Sequence, residues 1–106
     1  MSLRGQRSPK RDLNEKELRR ALTAKNIDSW PVSIGDFPDL ICCWQGVWFP
    51  IEIKNKDARG RMSAGQKMFF ELCRTRNAPC YKISEEADID LMIMDLRSRY
   101  AARSTG

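Results

Sequence analysis

A chain of 106 residues, 42% hydrophobic and 31% charged, suits one small soluble domain with one core. No apolar run approaches a membrane span, and residues 1–7 are basic without an apolar stretch, so neither a transmembrane helix nor a secretory leader is expected. There is no histidine, and none of the four cysteines forms a C-x-x-C pair, which disfavours zinc; Cys42, Cys43, Cys73 and Cys80 read as reduced core thiols of a cytoplasmic protein.

The chain order begins with a basic stretch. Residues 1–12 carry four bases against one acid and no periodic apolar pattern, which predicts a flexible arm. Residues 13–26 predict a helix, capped by Asp12 or Asn14, with Leu18, Ala21 and Leu22 on its apolar face. Residues 27–35 predict a loop punctuated by Pro31 and Gly35, with room for a short strand near Val32-Ser33-Ile34. Residues 39–44 and 47–54 predict two strands joined at Gln45-Gly46 as an antiparallel hairpin. Residues 55–62 predict a polar loop. Ser63 opens a helix to about residue 77, with Phe69, Leu72 and Cys73 inward. Residues 79–83 predict a third strand, and Ser84 caps a last helix to residue 98 with Ala87, Leu91 and Met94 along one side. Residues 13–98 thus form one domain, an α/β sandwich around a small mixed sheet, and 99–106 a basic tail.

Two positions in the hairpin are chemically unusual. Gly35-Asp36-Phe37-Pro38-Asp39-Leu40 leads into one apolar strand, and Ile51-Glu52-Ile53-Lys54 ends the next. Side chains alternate along a strand, so Val47, Phe49, Ile51 and Ile53 share one face, and Trp48, Pro50, Glu52 and Lys54 the other. Alone, a Glu-x-Lys on a strand describes an ordinary solvated face. Asp39 at the mouth of the neighbouring strand changes this, because buried charge is costly unless it is paired or holds a metal. Asp39 and Glu52 can share one hard cation such as Mg2+, with the carbonyl of Ile53 as a third donor. Such an ion lowers the pKa of a bound water and polarises a phosphodiester, and Lys54 would stabilise the developing negative charge.

The charge pattern agrees with an anionic substrate. Residues 54–76 hold seven bases against two acids, whereas residues 77–96 hold one base against five acids. Lys56, Arg59, Arg61 and Lys67 flank the acids in sequence and are candidate phosphate contacts, as are Arg4, Arg7, Lys10 and Arg11; a solvated surface is the alternative for each. Trp30, Trp44 and Trp48 are candidates for stacking on bases, with core or interface packing as the alternative.

These three elements together, Gly35-x-Phe37-Pro38-Asp39-Leu40, Ile51-Glu52-Ile53-Lys54 and Ser63-x-x-Gln66, resemble the PD-(D/E)xK nuclease superfamily, and within it the VRR-NUC branch of virus-type replication-repair nucleases in its short, stand-alone form. The resemblance spans about residues 14 to 94. It implies a restriction-endonuclease-like αβββαβ core, Mg2+ or Mn2+ as cofactor, and DNA as substrate in a bacterial or phage-infected cell. It implies an active-site role for Gln66, which also reads as the third residue of a capping box begun by Ser63. It also implies one more acid from the first helix, for which Glu15 is the candidate and Glu17 lies further round. Small size together with the resemblance leads us to expect a homodimer able to cut branched or junction DNA, with no organic cofactor. The competing readings are a non-catalytic nucleic-acid-binding module and an accessory subunit of a replication or repair complex.

Overall fold

The computed structural model describes residues 9–54 and 62–101, with side chains from Asn14 onward. In chain order it contains α1 (Pro9–Ala24), β1 (Asp28–Pro31), β2 (Leu40–Trp44), β3 (Val47–Ile53), α2 (Ala64–Thr75), β4 (Tyr81–Ile83) and α3 (Glu86–Arg99). The strands form one sheet in the order β1-β2-β3-β4. The first three are antiparallel neighbours, and β4 joins β3 in parallel after the chain passes through α2. This is the αβββαβ core of a restriction-endonuclease-like fold, with α3 appended.

Local chemistry sets these boundaries. Gln45 and Gly46 both take positive φ, 47° and 82°, which makes the two-residue turn whose twist matches a tight hairpin and puts Trp44 opposite Val47. α1 and α2 stop in the same way. Asn26 and Asn77 adopt positive φ, and the next residue donates back into the last turn, Ile27 N–H to Leu22 O at 2.9 Å and Ala78 N–H to Cys73 O at 2.8 Å.

The core lies on one side of the sheet. Phe49, Ile51 and Ile53 of β3 are buried with Leu40 and Cys42 of β2, beneath Leu18 and Leu22 of α1 and Ile89, Met92 and Leu96 of α3. Burying each large apolar side chain contributes about 1.5–3 kcal/mol. A one-residue slip of β3 would turn this set outward, so the register of the hairpin is firmly held. The opposite face carries Trp48, Pro50 and Glu52. α2 reaches this face at its β3–β4 end, where the ring of Phe70 lies 5.2 Å from Lys82 Nζ.

Several elements differ from the sequence reading. The extra strand is residues 28–31, not 32–34. Pro31 fits there because β1 is an edge strand. α1 begins at Pro9, so residues 9–12 of the expected arm are helical and Asp12 and Asn14 lie inside the helix rather than at its cap; proline suits a first helical position, where its missing N–H costs nothing. α3 runs through Arg99, and its cap residue is Glu85, one past Ser84. It buries Ile89, Met92 and Leu96 while Leu91 and Met94 are exposed, because the helix is apolar nearly all round and packing selects the face. α2 buries no residue, and Leu72 is exposed. Of the thiols, Cys42 is buried and the other three are partly exposed; all four are unpaired as disulfides.

Candidate active site

The hairpin places the two acids side by side. Leu40 pairs with Ile51, so Asp39, one residue before β2, stands across from Glu52. Both are almost fully buried, 2% and 3% exposed. The Asp39 carboxylate accepts the backbone N–H of Ile53 at 2.9 Å through Oδ2, and its carbonyl accepts from Val32 N–H at 2.8 Å. Pro38, itself buried, brings the chain in without an N–H to satisfy. The local sequence thus drives a carboxylate into the sheet and gives it a backbone partner there.

Lys54 follows directly after β3. Its N–H donates to Ile83 O at 2.8 Å, which anchors its backbone to β4. Its Nζ lies 3.9 Å from Glu52 Oε2, a charge pair within the site and largely shielded from solvent. The side-chain amide of Asn14 in α1 donates to Lys54 O at 3.4 Å and ties the helix to the same strand end. Nothing in the sequence marks Asn14 for this contact across forty residues. Its neighbour Glu15 is buried in α1.

Gln66 performs two tasks at once. Its Oε1 accepts Ser63 N–H at 3.1 Å, and Gln66 N–H donates to Ser63 Oγ at 3.1 Å, the reciprocal capping box that starts α2. Its Nε2 is turned by that bond toward Glu52 and lies 3.4 Å from each carboxylate oxygen. The Ser63 hydroxyl donates to Asp36 Oδ1 at 2.8 Å, which links the β1–β2 loop to the helix start. Gly65 is required here by close approach: a Cβ on it would lie 2.2 Å from Asp36 Cγ. The structure therefore gathers Asp39, Glu52, Lys54 and Gln66 from three segments. Lys67 is exposed on α2, and Lys56, Arg59 and Arg61 lie outside the described residues.

The donors fit a hard divalent cation. Two neighbouring buried carboxylates offer oxygen alone, and Mg2+ takes one or two carboxylates with waters and phosphate oxygens completing its shell. Among the described residues no group of three or more acids, cysteines or histidines is placed to hold a metal, so Glu15 does not form a three-acid cluster with the pair.

The same architecture occurs in a solved structure. A protein described as a VRR_NUC domain superimposes with a TM-score of 0.64, at 18% sequence identity, over 82% of this chain and 97% of that one. The chain has the VRR_NUC fold. No family model and no curated protein matches it. Among the described residues no helix is long and apolar enough to cross a membrane.

Proposed function

We propose that this VRR_NUC-fold chain is a metal-dependent nuclease that hydrolyses phosphodiester bonds in DNA. The observation that carries the reading is the burial of Asp39, at the entry to β2, across from Glu52 of β3, with Lys54 beside Glu52. Buried carboxylates carry a high desolvation cost that charge and hydrogen bonds must offset, and a pair of them with an ammonium 3.9 Å from Glu52 is a donor set suited to a hard cation and an anionic substrate.

Asp39, Glu52 and the carbonyl of Ile53 would hold Mg2+ or Mn2+, which supplies an activated water and polarises the phosphate. Lys54 faces the charge that develops on the phosphate oxygens and orients the attacking water. Water oxygen would bond to phosphorus and release a proton to solvent, the P–O bond to the leaving strand would break, and that oxygen would take up a proton from solvent. Gln66 fixes the rotamer of Glu52 and so acts as a positioning residue. Lys56, Arg59, Arg61 and Lys67 follow the site in sequence and would contact backbone phosphates.

We assign the active form to a homodimer. Ile34, Phe37, Met68, Phe69 and Leu72 line an open apolar groove of about 930 Å3, rimmed by Glu71 and Arg76. This exposed apolar surface, shared by α2 and the β1–β2 loop, is one that a second copy would cover. Two sites in one dimer suit paired cuts in a branched or junction DNA. The test is cleavage of labelled duplex, flap and four-way-junction DNA with Mg2+ or Mn2+. Metal-dependent cutting that is lost in Lys54→Ala supports the reading, and a folded protein that cuts none of these overturns it.

A further inference from the structure

Two tryptophans stand exposed on the sheet face that carries the acids. Trp30 is 51% and Trp48 57% exposed, whereas Trp44 is buried in the core. Water-facing tryptophan is unusual, because its large apolar ring gains most by burial. The pairing explains their proximity. Trp48 lies opposite Cys43 and Trp30 opposite Ile41, so the rings meet diagonally across β2 with centroids 5.7 Å apart and planes tilted by 38°. At that distance the rings touch, so a planar ligand stacks on an outer face and not between them.

The location relates the pair to the chemistry. Trp48, Pro50 and Glu52 alternate onto one face of β3, so Trp48 stands about 13 Å from Glu52 along the strand. That span covers a few nucleotides of one strand. The side chain of Lys82 is exposed beside Glu52 in the register, at the far end of the same face, and Arg19 and Arg20 border Trp30 together with Asp28. Gln66 of α2 reaches Glu52 at one end of this face, and the two tryptophans are exposed at the other. A strand whose phosphate lies at the acids would run its neighbouring nucleotides over the rings.

We infer that Trp30 and Trp48 form a stacking platform for unpaired bases, a subsite that admits single-stranded nucleic acid to the catalytic end of the sheet. The inference rests on the nuclease reading both for its class of ligand and for its direction along the face. Stacking needs a base freed from its duplex partner, so the platform favours single strands, flaps and junction arms over intact duplex.

The test is binding of the full-length protein to a fluorescein-labelled oligothymidylate and to a blunt duplex of equal length, in EDTA so that no cleavage occurs. Trp48→Ala is expected to raise Kd for the single strand about 10-fold or more and to leave duplex Kd within about twofold. Trp48→Phe keeps an aromatic face and is expected to retain most of the affinity, and Trp48→Leu, which keeps apolar area alone, is not. Circular dichroism confirms that each variant is folded. Equal losses for single strand and duplex, or full affinity in Trp48→Leu, overturn the platform. So does a wild-type dimer that dissociates in Trp48→Ala by sedimentation velocity, which would make the patch a contact between copies. Tryptophan-dependent binding without metal-dependent cleavage would keep the platform and remove the nuclease; cleavage without such binding would do the reverse.

Discussion

The carboxylate of Asp39 accepts the N–H of Ile53 at 2.9 Å, so a proposed metal ligand is also a strut between β2 and β3. The two roles separate by substitution. Asp39→Ala leaves a buried N–H without its acceptor and is expected to cost about 1–3 kcal/mol in urea denaturation. Asp39→Asn keeps an acceptor oxygen and most of the stability. Both are expected to lower the cleavage rate about 100-fold or more. An Asp39→Asn protein that cuts at the wild-type rate would reduce Asp39 to the strut alone.

Lys54 allows a second separation, because its backbone is anchored to β4 through Ile83 O while its ammonium lies beside Glu52. Lys54→Ala retains the N–H bond to Ile83 O but takes the ammonium away from buried Glu52, so it is expected to lose some stability while remaining folded by circular dichroism. Its kcat is expected to fall about 100-fold, with DNA affinity little changed. Lys54→Arg keeps the charge on a different shape and is expected to recover only part of the rate. Single-turnover kinetics distinguishes the loss of chemistry from a loss of binding.

The start of α2 couples a helix cap to the site. Ser63→Ala removes the acceptor for Gln66 N–H and the donor to Asp36, and is expected to cost about 1 kcal/mol. It is also expected to slow cleavage several-fold, since the Gln66 amide is aimed by the same joint. Gly65→Ala is expected to act there too, by pushing on the Asp36 side chain that Ser63 holds. Unchanged rates in both variants would show that Gln66 only caps the helix.

Burial pushes the Cys42 thiol up to about 12 from 9.0, against the nearby charge of Arg19. The folded chain therefore keeps a proton that the unfolded chain releases. Stability from this group is complete below pH 9 and is lost as pH rises from 9 toward 12, at about 1.4 kcal/mol per pH unit. Cys42→Val is expected to flatten that alkaline slope. Tyr81 and Cys80, both held above their usual values mainly by burial, would sustain what slope remains.

The α2 groove predicts an association that charge can reverse. Leu72→Lys is expected to convert a dimer into a folded monomer in sedimentation velocity, with little change in thermal stability, because Leu72 is 54% exposed within the chain. A wild-type protein that is monomeric at all concentrations would remove the dimer from the proposed function.

The hairpin was the most legible part of the molecule. Alternation along 47–54 assigned Glu52 and Trp48 to one face, and Gln45-Gly46 located the turn, because both signals depend on local backbone geometry. The capping box at Ser63 and Gln66 was legible for the same reason. Helix faces were less so. α3 has apolar residues nearly all round, so only its packing on α1 and β4 could select Ile89, Met92 and Leu96. The apolar stripe of α2 was readable as a stripe, but a stripe does not say whether this chain covers it. Asn14 reaching Lys54 O, and the Asp39 bond to Ile53, arise from the register of distant segments and carry no compositional mark.

α2 has no buried residue of its own, while the strands beneath it hold the deepest side chains of the core. The amide protons of α2 are therefore expected to exchange with deuterium through small local openings, and those of β2 and β3 only when the whole molecule unfolds. Each local opening would carry Gln66 away from Glu52 and leave both acids in place. The fraction of time the site is complete is then set by the docking free energy of one helix, and any partner that settles on that helix raises it.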